Sequence, residues 1–180
     1  LGVAPGSIAR ALAGFGSRPE HNPGRLMRFE RDGVQVLLDY AHNPESLRGI
    51  LALARSLAGG GRLGMLLGHA GNRQETDFGR VGAVVAGFRP DLVVVKETEG
   101  YLRGRAPGEV PGLLRAALVE CGLPATSVAL CESEVDAARR ALDWARPGDV
   151  LVLLVHALPA RAAVLDLLRA ASRERPAGGR

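Results

Sequence analysis

Four polar-capable side chains stand within five positions in Asp39-Tyr40-Ala41-His42-Asn43, and Pro44 follows at once. The residues before them, Val34-Gln35-Val36-Leu37-Leu38, are an apolar run too short for a helix and too β-branched for a loop. Such a run reads as a buried strand. Asn43 and Pro44 have the pattern of a helix start, an amide that can accept from free N–H groups and then a residue with no N–H of its own. A strand that ends in a carboxylate and turns into a helix N-terminus presents open donors and positive potential. That is the chemistry of a site for a nucleotide or another anion.

Comparable stretches close the other strands of the chain. Gly68-His69-Ala70-Gly71-Asn72-Arg73 is one, and the stretch from Lys96 through Arg103-Gly104-Arg105 is another. A third ends in His156. Three of the 4 histidines and the only lysine therefore share one edge. The opposite edge carries turn residues, Gly59-Gly60-Gly61, Arg89-Pro90-Asp91 and Arg146-Pro147-Gly148. In open α/β sheets ligands bind beyond the carboxyl ends of the strands, so this asymmetry is a functional signal. Plain readings stand beside it: Asp39 and Asn43 can be simple caps, and His69 and His156 can be buried and hydrogen-bonded. No acidic pattern supports a metal site on the histidines, and no metal ligand is assigned. Gly68–Gly71 is not G-x-G-x-x-G and does not follow the first strand, so it supports no dinucleotide fingerprint, and the sequence has no G-x-x-x-x-G-K-[ST] phosphate loop.

The elements that must position these residues alternate regularly. A short helix over 5–15 and a polar link over 16–24 come first. Two strands, 25–31 and 34–39, flank Asp32-Gly33, a strong two-residue hairpin signal. Helices over 44–57, 75–86, 109–121, 133–145 and 159–171 then alternate with strands over 62–67, 91–96, 127–131 and 149–155. This order predicts an α/β fold, a Rossmann-like three-layer sandwich whose six-stranded sheet is mainly parallel with one antiparallel edge strand. Residues 1–22 are assigned to a linker and short helix from a preceding domain, 23–171 to the domain proper, and 172–180 to a disordered tail.

Composition narrows the function classes. The 180 residues are 47% apolar without a membrane-length run, and the net charge of +4 is scattered rather than gathered in a basic block. Neither membrane insertion nor nucleic-acid binding is indicated. Cys121 and Cys131 have no metal-ligand spacing and read as small buried side chains in a reducing compartment. The chain opens on Leu1 without a leader and reads as a piece of a longer cytoplasmic protein. Nearly every cation is arginine, so the lone Lys96 hints at a specific role.

Asn22-Pro23-Gly24-Arg25 followed by Asp39-Tyr40-Ala41-His42-Asn43-Pro44 resembles the C-terminal domain of the Mur ligase superfamily. The later Lys96-Glu97, Leu102-Arg103-Gly104-Arg105, Gly108-Glu109-Val110 and Ala145-Arg146-Pro147-Gly148-Asp149 are similar to the ligase half of the cyanophycin synthetase branch. Two departures stand out: Gly71-Asn72-Arg73-Gln74 replaces a Gly-Asp-Arg-Arg-like turn, and His156 stands where that branch often has acidic residues. The resemblance implies an ATP-dependent ligase that joins an amino acid, arginine in the cyanophycin branch, to an acceptor carboxylate through an acyl phosphate. ATP and Mg would be held mainly by a central domain outside this chain, so the chain alone is expected to be inactive. Its partners would be the N-terminal and central domains of the same protein, the two substrates, and a further copy in a homo-oligomer. By the same resemblance Arg25, Asp39 and Tyr40 would face the nucleotide, and His42 and Asn43 the reacting groups. Arg73, Lys96, Arg103, Arg105 and His156 would face the amino acid. Rival readings are a muropeptide or polyglutamate-type ligase, a non-catalytic Mur-like scaffold, and a small nucleotide-binding regulatory domain.

Overall fold

The computed structural model describes residues 4–7 and 24–173. Most of the expected linker, most of the first helix and residues 174–180 of the expected tail lie outside the described residues, while 172–173 belong to the last helix. The hairpin forms as read: β1 (Met27–Arg31) and β2 (Val34–Asp39) pair antiparallel, with Arg31 opposite Val34. Asp32 and Gly33 both have positive φ, 51° and 77°, as a tight primed turn between twisted strands requires. The first strand is shorter than the expected 25–31. Gly24 and Leu26 take positive φ and turn the chain just before Met27.

The alternation then runs α1 (Pro44–Ala58), β3 (Leu63–Leu67), α2 (Glu75–Gly87), β4 (Leu92–Lys96), α3 (Glu109–Glu120), β5 (Val128–Cys131), α4 (Glu134–Trp144), β6 (Val150–Leu154) and α5 (Leu158–Arg173). Every boundary falls within two residues of its expected place. The sheet has six strands in the order β1-β2-β6-β3-β4-β5, all parallel except the β1–β2 pair. Strands β3, β4 and β6 are buried at every position, which is why they read as unbroken apolar runs rather than alternating ones.

Handedness places the helices. From β2 to β5 the chain steps across the sheet in one direction, and right-handed crossovers put α1, α2 and α3 on one face. From β5 the chain returns to insert β6 between β2 and β3, so α4 falls on the other face, where α5 joins it. Two core clusters follow. One joins Leu47, Leu51, Phe78, Val85 and Leu114 to the sheet; the other joins Ala137, Ala141, Val164 and Leu168 to its opposite side. Each fully buried large side chain of this kind contributes about 1.5–3 kcal/mol relative to exposure.

The reversal around β6 has a consequence for binding. The chain leaves β2 and β3 for one face and β6 for the other, so their carboxyl ends open a crevice. Register brings those ends level, with Asp39 beside Leu154 and Leu67 beside Val95. Cys121, expected to be buried, is instead exposed, and Cys131 is half-buried. Cys121 caps the C-terminus of α3 and Cys131 closes the edge strand β5, so neither position is covered by a further layer.

Candidate functional site

The first wall of the crevice is the segment from Asp39 to Asn43. Asp39 turns its carboxylate onto backbone: Oδ2 accepts from Leu26 N–H at 2.7 Å and Oδ1 from Ala41 N–H at 2.6 Å. The carboxylate thereby joins the entry of the chain to the loop after β2. Asn43 is the N-cap of α1, its Oδ1 accepting from Ser46 N–H at 2.9 Å while Ser46 reaches back to the cap backbone. His42 places Nδ1 3.2 Å from the Tyr40 carbonyl. Tyr40 is the hub of the wall. The His42 and His156 rings meet it edge-on at 5.4 and 5.1 Å, and the Arg25 and Arg161 guanidinium groups lie 4.9 and 5.3 Å from its ring centre.

Behind this wall lies a buried ionic cluster. Lys96, at the end of β4, and Glu134, at the head of α4, are both fully buried and form a salt bridge. Glu134 also accepts from the backbone N–H groups of His156 and Ala157, at 2.9 and 2.7 Å. The Lys96 ammonium lies 3.0 Å from His156 Nδ1, and His156 Nε2 is 3.3 Å from the Ala41 carbonyl. Burial pulls the Lys96 and His156 pKa values down. Burial pushes Glu134 upward, but His156 and Lys96 outweigh it and bring the carboxyl to about 2. Glu134 is therefore ionised near neutral pH, a buried carboxylate held by three donors of which Lys96 is one.

Two stitched loops form the facing wall. Gly71 N–H donates to the Tyr101 carbonyl at 2.8 Å, joining the loop after β3 to the loop after β4. A side chain at Gly71 would put Cβ only 1.9 Å from the Leu102 carbonyl oxygen, so the two backbones meet here because the residue is glycine. Arg105 reinforces the seam, donating to the Gly71 carbonyl at 2.9 Å and the Arg73 carbonyl at 3.2 Å and pairing with Glu109. Arg103 is different. It sits at φ 50°, is exposed, and has its guanidinium 5.5 Å from the Tyr101 ring centre with no ion pair among the described residues. His69 is buried at the root of this wall; burial, with Arg73 and His156 nearby, lowers its pKa to about 4, so it is neutral.

A cavity of about 260 Å³ lies between the walls. Tyr40, His69, Thr98, Arg73, Arg103 and His156 are among its lining residues. Thr98 Oγ1 is buried there with no hydrogen-bond partner among the described residues. A wider opening of about 720 Å³ adjoins it on the helix side, where His42, Asn43, His69 and Arg73 meet the α2 residues Asp77 and Arg80. Among the described residues, no group of three or more His, Cys, Asp or Glu is placed to hold a metal ion.

The residues singled out from sequence thus meet around one crevice, in different circumstances. Tyr40, His42, Arg73, Arg103 and His156 line the small cavity, and Arg25 lies against the Tyr40 ring. Asn43 lines the wider opening while capping α1, and Asp39 is tied to the backbone of Leu26 and Ala41. Lys96 lies beneath the floor, and Arg105 belongs to the seam. Glu134 and Thr98 were not foreseen. Glu134 looks like any acid in a first helical turn, and the one clue was Lys96 itself, because a buried lysine needs a buried acid.

In a doubly wound α/β domain, a loop-walled crevice at a strand reversal is the position where such folds take their ligands. The chain belongs to the Mur ligase, glutamate ligase domain family, which matches residues 24–154. Cyanophycin synthetase of Trichormus variabilis is 30% identical over 167 residues, covering 93% of this chain and 18% of that protein. A UDP-N-acetylmuramoyl-L-alanyl-D-glutamate–2,6-diaminopimelate ligase of Geobacter metallireducens is 34% identical over 164 residues, covering 85% of this chain and 31% of that protein. The chain therefore spans less than a third of the length of these relatives. Among solved structures, a bifunctional folylpolyglutamate synthase/dihydrofolate synthase of Yersinia pestis, complexed with AMPPNP and Mn ion, superposes with TM-score 0.65 at 21% identity over 94% of this chain and 35% of that one. The likeness to that structure is one of fold.

Proposed function

We propose that this chain is the domain of an ATP-dependent ligase that receives the incoming amino acid and closes over the nucleotide. The observation that carries the reading is the convergence of the loops after β2, β3, β4 and β6 on one cavity, lined by the Arg103 guanidinium, which has no ion pair among the described residues, and by Thr98, whose hydroxyl has no hydrogen-bond partner among them. Arg103 suits an α-carboxylate, since its planar fork pairs with both oxygens. Arg105 has its donors committed to Gly71, Arg73 and Glu109, which leaves Arg103 as the clamp. Arg25 and Tyr40 offer a cation and an aromatic face to a nucleotide at the interdomain side. Asp39 keeps lone pairs beyond its two backbone bonds for a ribose diol. His42 and the α1 N-terminus lie where positive potential favours transferred phosphoryl charge.

In the proposed reaction the γ-phosphoryl group of ATP passes to an acceptor carboxylate, releasing ADP and leaving an acyl phosphate. The amine of the second substrate then attacks the acyl carbon, inorganic phosphate departs, and the amine loses a proton. Mg would help neutralise the phosphates from the facing domain, and this domain's described residues supply no ligand cluster for it. Resemblance to the cyanophycin branch makes arginine the first amino acid to test. The small cavity is lined by Arg73 and Arg103 and by no carboxylate, so an arginine side chain would find its counter-charge on the facing domain.

The test is isotopic. The full-length protein is given ATP, single amino acids and acceptor peptides whose free carboxylate carries ¹⁸O. Amino-acid-dependent ADP formation with ¹⁸O transferred to inorganic phosphate is expected. Phosphate without label, or hydrolysis indifferent to amino acid, would overturn the reading.

A further inference from the structure

Lys96, Glu134 and His156 form a unit that nucleotide and amino acid recognition leave unexplained. Two of the three are wholly buried, and His156 is 7% exposed. We infer that Lys96 and Glu134 are positioning residues for the loop after β2, holding His156 as the neutral Nε2–H tautomer that fastens the Ala41 carbonyl.

Glu134 accepts from Lys96 and from the backbone N–H groups of His156 and Ala157. As the one side-chain cation against this buried carboxylate among the described residues, Lys96 is inferred to be an ammonium, which has three protons and no lone pair to offer His156. Its partner Nδ1, 3.0 Å away, must accept. The alternative, Nδ1–H donating to Glu134, faces a 3.6 Å gap and would set two donors against each other. With Nδ1 unprotonated, a neutral ring carries its proton on Nε2, and the Ala41 carbonyl at 3.3 Å is there to receive it. Ala41 is then held at both ends, its N–H by Asp39 at 2.6 Å and its carbonyl by His156. The direction of the chain between Asp39 and His42 follows.

Stability is a poor explanation for this cluster, because a buried ion pair is often no better than well-packed apolar side chains. The neighbouring Val95 and Leu154 show that the same layer accepts aliphatic residues. What distinguishes these positions is that Lys96 ends β4, His156 follows β6 and Glu134 heads α4, directly beneath the crevice.

Two measurements test the inference. Nitrogen-15 NMR of the histidine rings near neutral pH should find His156 with Nδ1 unprotonated and Nε2 protonated. An Nδ1–H tautomer or an imidazolium would overturn it. The second arm rests on the proposed ligase function and uses the full-length protein with Lys96→Met/Glu134→Gln. This pair removes both charges while keeping the stems and an amide oxygen for the backbone donors. KM for ATP should rise about fivefold or more, with KM for the amino acid within about twofold of wild type. A folded variant with wild-type ATP kinetics would overturn the inference. Should that variant fail to fold, His156→Phe keeps the ion pair and the ring against Tyr40, and must show the same rise in KM for ATP, whatever becomes of KM for the amino acid at this cavity-lining position. Wild-type kinetics there would again overturn the inference. If the full-length protein has no ligase activity, the proposed function falls, and the tautomer still decides the positioning claim.

Discussion

Asp39 carries two burdens that substitution can separate. As a carboxylate it accepts two backbone N–H bonds, and in the proposed complex it also meets the ribose. Asp39→Asn replaces one acceptor oxygen by an N–H₂ that faces a backbone donor, and should lower unfolding stability by about 1–2 kcal/mol. If the residue also touches nucleotide, KM for ATP rises as well, while KM for the amino acid stays put. Loss of stability with unchanged ATP kinetics would leave Asp39 as a loop brace only. Arg105 is the complementary case. Its bonds to two loop carbonyls and Glu109 lead us to expect that Arg105→Ala costs about 2 kcal/mol in denaturant unfolding. An Arg105→Ala protein as stable as wild type would remove the seam from this account.

At the scale of elements, the seam between the loops after β3 and β4 is the least replaceable feature. Gly71→Ala forces Cβ into the Leu102 carbonyl and should destabilise by about 1–3 kcal/mol, read as a fall in the denaturant midpoint. A midpoint unchanged in Gly71→Ala would show that the loops part without penalty. The order of elements was legible because each carries its own local signal. β2 and α1 are announced by an apolar run followed by Asn43-Pro44, and the hairpin by Asp32-Gly33. The seam was not legible, since nothing in Gly71-Asn72-Arg73 says that its backbone will meet Tyr101 and Leu102. For the same reason Arg103 and Arg105 looked equivalent in sequence. Their difference lies in which carbonyls come within reach once the loops have folded together. Lys96 was noticed for its rarity and placed on the ligand side, whereas its partner Glu134 lies 38 residues on and carries no local mark.

Across the whole molecule, the buried titratable groups make stability depend on pH. His69 is held neutral, its pKa lowered from 6.5 to about 4 by burial and nearby cations. Between those values the unfolded chain binds the proton and the folded chain does not, so stability falls as pH drops through that window. The shift corresponds to a loss on the order of 3 kcal/mol between neutral pH and pH 4. Glu134, lowered from 4.5 to about 2, adds a loss of the same sign below its ordinary value, complete only at stronger acid. Urea unfolding at a series of pH values should show this decline, and His69→Gln should flatten its upper part. A profile level from neutrality to pH 4 in the wild type would contradict the burial of His69.

The central claim is that this domain holds the incoming amino acid of an ATP-dependent ligase, and Arg103 is where it is most exposed to test. Arg103→Lys keeps the charge and removes the planar fork. In the full-length protein, steady-state kinetics of amino-acid-dependent ADP formation should show KM for the amino acid raised about tenfold, a difference of ~1.4 kcal/mol, with KM for ATP unchanged. An Arg103→Lys enzyme with wild-type KM for the amino acid, or one impaired equally for both substrates, would contradict the account.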